Sequence, residues 1–279
     1  MSEAPDAAAL LEEAARYWRT SITEIRPGHI GLRGYPIEEL IGRAGFAEVL
    51  WLLLRGELPD PRRARLLEAA LVASVDHGPQ APAIAIARSA VSCGLPLNGA
   101  MASAINALGD VHGGAGQQAL ELFLRIEALR ATGQGLDEAV TGAIGVAARE
   151  GEEHLPGYGH RFHPVDPRSG RLLALVEEAR AAGLVSGRLA EVARACEAAL
   201  ERRKGRHIPL NIDGATAVVY GELGFAPPLA RGLFCLARGV GILAHAWEQS
   251  GTGERNKGPM PRAIPYRYEG PGERHLPEP

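Results

Sequence analysis

Cysteine is scarce in this chain, with three in 279 residues, at Cys93, Cys196 and Cys235. Three widely spaced thiols in apolar settings exclude a disulfide framework and read as reduced, buried side chains. No Cys-x-x-Cys pair is present, so nothing suggests zinc. Charge of one sign is lacking too: 30 Lys and Arg stand against 33 Asp and Glu, a net charge of −3. A nucleic-acid or bilayer partner would call for a basic footprint that is missing. No run of about 18 apolar residues offers a membrane span. The opening Met1-Ser2-Glu3-Ala4-Pro5-Asp6 has neither the basic nor the apolar region of a signal peptide. The expectation is a cytoplasmic protein. A Gly-x-x-x-x-Gly-Lys-Ser/Thr loop and a strand–Gly-x-Gly-x-x-Gly–helix unit are both missing, which disfavours ATP hydrolysis and NAD chemistry.

What is there is helix-forming. Alanine, leucine, glutamate and arginine dominate the long segments, and β-branched runs are scarce. Helices are expected over Ala7–Arg19, Phe46–Leu54, Pro61–Val75, Pro82–Val91, Gly99–Leu108 and Gln117–Ala131. They continue over Leu136–Arg149, Leu172–Ala182, Ser186–Arg203, Ala215–Leu223 and Pro228–Gln249. Pro61 and Pro82 suit a first turn, and Gly56 and Pro59 suit a stop. The Pro228–Gln249 segment is apolar nearly all round, so burial, including at a subunit interface, is expected. Leu155–Ser169 is too rich in Pro and Gly to be helical.

Three polar, Gly-flanked segments interrupt this background: His112-Gly113-Gly114-Ala115, Pro156-Gly157-Tyr158-Gly159-His160-Arg161 and Asn211-Ile212-Asp213-Gly214. Each sets a proton-transfer side chain beside glycines, where a backbone turns tightly and a ligand can approach. Two imidazoles and one carboxylate suffice to move a proton at carbon, steady an enolate and serve an oxygen on the partner. Plainer uses stand beside these. His112 can simply cap its turn. His160 can join His154 and His163 in a zinc site, though no fourth ligand is visible. Asp213 can be an ordinary helix N-cap.

These segments, in this order, resemble the catalytic signatures of the citrate synthase superfamily. Arg33-Gly34-Tyr35-Pro36-Ile37-Glu38-Glu39-Leu40, Asp76-His77-Gly78 and Asp166-Pro167-Arg168 agree with further family segments, so the resemblance runs from about Ile22 to Arg262. It implies an all-α, citrate synthase-like homodimer. Residues 1–154 with 214–279 would form a large helical domain and 155–213 a smaller lobe. His112, His160 and Asp213 would be catalytic and would meet in one cleft. His77, Arg168, Arg238 and Arg262 would bind substrate carboxylates, for which the arginine fork is suited. Arg161, Lys204 and Arg206 would meet the phosphates of coenzyme A. For each basic residue the plain alternative is a solvated surface charge. The family's first C-terminal arginine is replaced by Met260, leaving Arg255, Lys257 or Arg262 to serve instead.

The short connection between Arg33-Gly34-Tyr35-Pro36 and Asp76-His77-Gly78, with Asn-Ile-Asp-Gly, looks most like citryl-CoA lyases and the citryl-CoA-cleaving module of ATP-citrate lyases. The implied reaction cleaves citryl-CoA into acetyl-CoA and oxaloacetate, with no metal and no NAD. Condensation of an acyl-CoA with a 2-oxo acid, as in citrate or 2-methylcitrate synthase, and a non-catalytic CoA-binding homologue are the alternatives.

Overall fold

The computed structural model describes residues 6–149, 154–160, 164–261 and 263–277. Among these, twelve helices and three short strands follow in the order α1 (Ala7–Tyr17), β1 (Thr23–Arg26), β2 (His29–Leu32), β3 (Tyr35–Pro36), α2 (Ile37–Leu40), α3 (Phe46–Arg55), α4 (Pro61–Ser74) and α5 (Pro82–Ser92). Then come α6 (Leu97–Asn106), α7 (Ala115–Ala131), α8 (Leu136–Arg149), α9 (Pro167–Ala181), α10 (Arg188–Lys204), α11 (Ile212–Glu222) and α12 (Pro227–Ser250). The mainly helical expectation holds. The antiparallel β1–β2–β3 sheet was not expected. Its signal was the Pro27-Gly28 pair, where Gly28 takes φ +74° and lets Arg26 pair with His29.

Helix ends follow local chemistry. Gly56 closes α3 at φ +92°, with its N–H on the Leu52 carbonyl. Gly205 closes α10 in the same left-handed region. α9 starts at Pro167, five residues ahead of the expected Leu172, because Asp166 caps it and proline fits its first position. α11 starts at Ile212, three residues early, for a reason that lies in the site.

The chain divides into two compact units, Met1–Ala73 with Gly116–Ala230, and Ser74–Ala115 with Arg231–Pro279. In the first unit α9 and α10 pack on α11, and α10 also packs on α8. In that unit Trp51 and Tyr220 meet Phe225 edge-on at 5.2 and 6.5 Å, and Arg55 lies over the Trp51 and Phe225 rings. Phe123 is fully buried, worth roughly 1.5–3 kcal/mol for such a side chain.

In the second unit α5 packs on α6 through alanines: Ala83, Ala87, Ala100 and Ala104, with Ile242 and Ala246 of α12. Small side chains let these helix backbones approach closely. α12 is long and apolar enough to cross a bilayer by length and composition, yet half of that stretch is buried inside the protein. Its Leu236, Val240, Leu243 and Trp247 are exposed, so burial is one-sided rather than complete. Cys196 is buried as expected and Cys235 partly so, but Cys93 is exposed, because it caps the C-terminus of α5.

Candidate functional site

The site residues fall in both units. In the first, Pro156-Gly157-Tyr158-Gly159-His160 is a loop stitched to 209–211. Tyr158 pairs with Leu210 as an isolated antiparallel bridge. The Gly159 N–H donates to the Pro209 carbonyl at 2.8 Å and the Asn211 N–H to the Gly157 carbonyl at 2.9 Å. The buried Tyr158 ring anchors the loop, its hydroxyl donating to the Ala193 carbonyl at 2.8 Å. Gly157 sits at φ +85°, and a Cβ there would stand 2.8 Å from the Gly214 Cα. A Cβ on Gly214 would stand 2.5 Å from the Gly157 carbonyl oxygen. The two signature glycines are thus needed by each other, because they let the His160 loop and the start of α11 touch backbone to backbone.

Asn211 joins the same two pieces through its side chain. Its Oδ1 accepts from the N–H groups of Asp213 and Gly214 at 2.9 and 3.2 Å. Its Nδ2 donates to the Gly159 carbonyl at 2.8 Å. The N-cap of α11 is therefore Asn211, and Asp213 is the second helical residue, half-buried. Asp213 as N-cap is corrected: a residue inside the first turn presents its own N–H to the cap. The fully buried Tyr220 phenol is held protonated, first by burial and then by the Asp213 charge.

Asp166 ties this unit together further. It is almost completely buried and caps α9 by accepting the Arg168 N–H at 3.0 Å. Its carboxylate grips Arg168 Nε and Nη2 at 2.9 and 2.8 Å, and accepts the Ile212 N–H at 3.2 Å. Burial would raise its pKa, but Arg168 and these N–H groups outweigh burial and hold it below the usual carboxylate range. The Arg168 edge expected for a substrate carboxylate is here closed on Asp166, and its Nη1 reaches the Ala73 carbonyl.

A pocket of about 800 Å³ opens beside this loop, lined among others by His154, Tyr158, His160, Lys204, Arg206 and His207. The structure thus brings His160 together with two of the three expected phosphate ligands. Arg161 and His163 lie outside the described residues, as does Arg262. His207 is held by Glu197 at 3.1 Å, while the other Glu197 oxygen accepts the Leu210 N–H at 3.2 Å. Among the described residues, no group of three or more His, Cys, Asp or Glu side chains is placed to hold a metal.

The second unit holds His112, His77 and Arg238. Gly113 takes φ +101°, and a Cβ on Gly114 would stand 2.7 Å from the Asp110 carbonyl oxygen, so the glycine pair shapes the turn. His112 Nε2 accepts the backbone N–H of Ala83 at 3.2 Å. That N–H is one of the donors left without an intrahelical partner at the start of α5. An accepting Nε2 puts the ring proton on Nδ1, so His112 is a neutral imidazole with an N–H to donate. Burial, then the Arg238 charge, hold its pKa below the ordinary histidine value. Arg238 is 4% exposed, lies over the Phe234 ring at 4.9 Å and donates from Nε to the Ser74 carbonyl at 3.1 Å. A surface role for Arg238 is excluded. His77, half-buried, stands in a turn closed by Asp76, whose Oδ2 accepts the Gly78 N–H at 3.0 Å. His245 of α12, which sequence reasoning missed, contacts that same Asp76 at 3.3 Å. Its spacing of seven residues from Arg238, two turns on one face, was the available signal.

In the C-terminal segment, the N–H groups of Asn256 and Lys257 dock on Ser92, and Lys257 pairs with Glu254. Met260 is exposed.

The family model "Citrate synthase, C-terminal domain" matches residues 13–63 and 59–262. The solved structure of citryl-CoA lyase from Hydrogenobacter thermophilus is 33% identical, covering 93% of this chain and 97% of that one, with a TM-score of 0.81. Citrate synthase from Thermoplasma acidophilum, solved with carboxymethyl coenzyme A and oxaloacetate, is 26% identical over 84% of this chain and 59% of that one, at a TM-score of 0.67. Among curated sequences, citrate synthase of Acidithiobacillus ferridurans is 30% identical over 201 residues, 71% of this chain and 50% of the relative. The chain spans about half the length of the first curated relatives it matches.

Proposed function

This chain belongs to the citrate synthase family, and from that premise we propose that it is an enzyme cleaving citryl-CoA into acetyl-CoA and oxaloacetate. His160 takes the proton of the tertiary hydroxyl. The carbon–carbon bond breaks, its electrons pass into the thioester, and oxaloacetate leaves as the ketone. The enolate oxygen accepts the Nδ1–H of His112, and Asp213 in its acid form delivers a proton to the enolate carbon. One proton is taken and one given, with no net redox change, so the reaction calls for neither NAD nor a metal. Condensation uses the same groups in reverse, with Asp213 as base.

The observation that carries this reading is the His112–Ala83 hydrogen bond. A helix-terminal N–H on Nε2 keeps the ring neutral and leaves Nδ1–H as a donor, which is what an enolate oxygen needs as charge develops. Lys204 and Arg206, beside His160 in one pocket, supply positive charge for the phosphates of coenzyme A. The likeness to a citryl-CoA lyase over nearly its whole length favours cleavage. The curated likeness to citrate synthases favours the second reading, condensation with thioester hydrolysis. The assembly we propose is a homodimer, with the exposed face of α12 as part of its interface.

Paired assays decide the reaction. Citryl-CoA cleavage without net thiol release is expected. Thiol release from acetyl-CoA and oxaloacetate would replace the lyase by the synthase, and absence of both would leave a CoA-binding homologue.

A further inference from the structure

α12 holds the stretch just ahead of His77 at three successive points. Arg238 Nε donates to the Ser74 carbonyl at 3.1 Å. The backbone N–H of Gly241 donates to the Val75 carbonyl at 3.1 Å, and a Cβ at that position would stand 2.2 Å from the same oxygen. His245 Nε2 lies 3.3 Å from Asp76 Oδ2. Positions 238, 241 and 245 are three and four apart, so one face of the helix carries all three contacts.

The His245 ring has a second partner that sets its tautomer. Its Nδ1 lies 3.2 Å from Arg88 Nη1, which is also paired with Glu248. A guanidinium has only donors, so Nδ1 accepts, the proton sits on Nε2, and Nε2–H donates to Asp76. The Asp76 carboxylate in turn accepts the backbone N–H groups of Gly78 and His77. The relay runs from Arg88 through His245 and Asp76 to the backbone of His77. Each link is a donor meeting an acceptor, and the ring is 18% exposed.

We propose that His245 is a positioning residue for His77: the Arg88–His245–Asp76 relay sets the turn that presents the His77 imidazole to the carboxylates of the oxo-acid half of the substrate. The substrate part of this proposal rests on the function proposed above. His245 does not meet the substrate itself. It has the donor and the acceptor that a carboxylate on one side and a guanidinium on the other require, which an apolar side chain of similar size has not.

His245→Leu and His245→Gln test this, because leucine fills the space without either bond while the glutamine amide has both a donor and an acceptor. In His245→Leu the KM for oxaloacetate in condensation, or for citryl-CoA in cleavage, is expected to rise about tenfold, the worth of one charge-assisted hydrogen bond. The kcat should change less than about threefold, and His245→Gln should recover most of the KM. Hydrogen exchange at the Gly78 amide should quicken about tenfold in His245→Leu and not in His245→Gln, with α5 and α6 unchanged. Wild-type KM and exchange in His245→Leu would overturn the proposal. So would equal loss in both variants, which would mean that the ring only packs. If the wild-type protein turns over neither substrate, the proposed function falls, and amide exchange still decides whether His245 sets the turn.

Discussion

The Asp166 carboxylate accepts the Ile212 N–H at 3.2 Å while holding Arg168 with both oxygens. One buried side chain thereby ties the start of α9 to the start of α11, the helix that carries Asp213. Asp166→Asn is expected to cost about 2 kcal/mol, less than a fully buried pair because Arg168 is part-exposed. The folded pKa of Asp166 lies below its unfolded value of about 3.9, so its contribution is complete above that pH and is lost as pH falls through the folded value. Urea melts of the variant should show a loss that is full at pH 7 and shrinks on acidification below about pH 4. An equal loss at both pH values would contradict this.

Asn211 separates capping from site building. Asn211→Asp keeps an oxygen for the Asp213 and Gly214 N–H groups and removes the donor to the Gly159 carbonyl. Its stability should stay within about 1 kcal/mol of wild type, the scale of a cap. Its kcat should fall about tenfold as the His160 loop loosens. Asn211→Ala should lose both. Unchanged kcat in Asn211→Asp would show that the loop needs no help from this side chain.

Asp213→Asn should bind coenzyme A as wild type and lose turnover by about 100-fold or more, because an amide cannot transfer the carbon's proton. Calorimetric binding beside initial rates measures both. Near-normal rates would remove Asp213 from the chemistry.

The neutral state of His112 gives a pH signature. Its pKa is depressed, first by burial and second by Arg238, so Nε2 stays unprotonated and keeps accepting the Ala83 N–H below the ordinary histidine value of about 6.5. Removing the charge with Arg238→Met should raise the His112 titration midpoint towards that value, as followed by NMR. An unmoved midpoint would assign the whole depression to burial.

The dimer prediction rests on Leu236, Val240, Leu243 and Trp247, which are exposed along one side of α12 at helical spacing. An uncovered apolar stripe of this kind suits a partner surface. Wild-type protein should sediment as a dimer at micromolar concentration, and Val240→Glu or Trp247→Glu should shift it to monomer. A monomeric wild type would refute the assignment.

What the sequence determined by itself was local. Helix positions were legible because alanine-rich segments with a 3.6-residue apolar stripe depend on neighbours a few positions away. Stops at Gly56 and starts at Pro61 and Pro82 were legible for the same reason. The three signature segments stood out through residue types alone, polar and Gly-flanked against an Ala- and Leu-rich background. What only the tertiary structure decided was which of several possible partners each polar group has. The Ala83–His112 bond that sets the tautomer joins residues 29 apart, Asp166–Ile212 spans 46, and Asp76–His245 spans 169. Arg168 turned out to face Asp166, and the cap of α11 turned out to be Asn211. A polar side chain can satisfy its bonds in many ways along a chain. Packing leaves one of them, and that choice is made by burial, not by spacing.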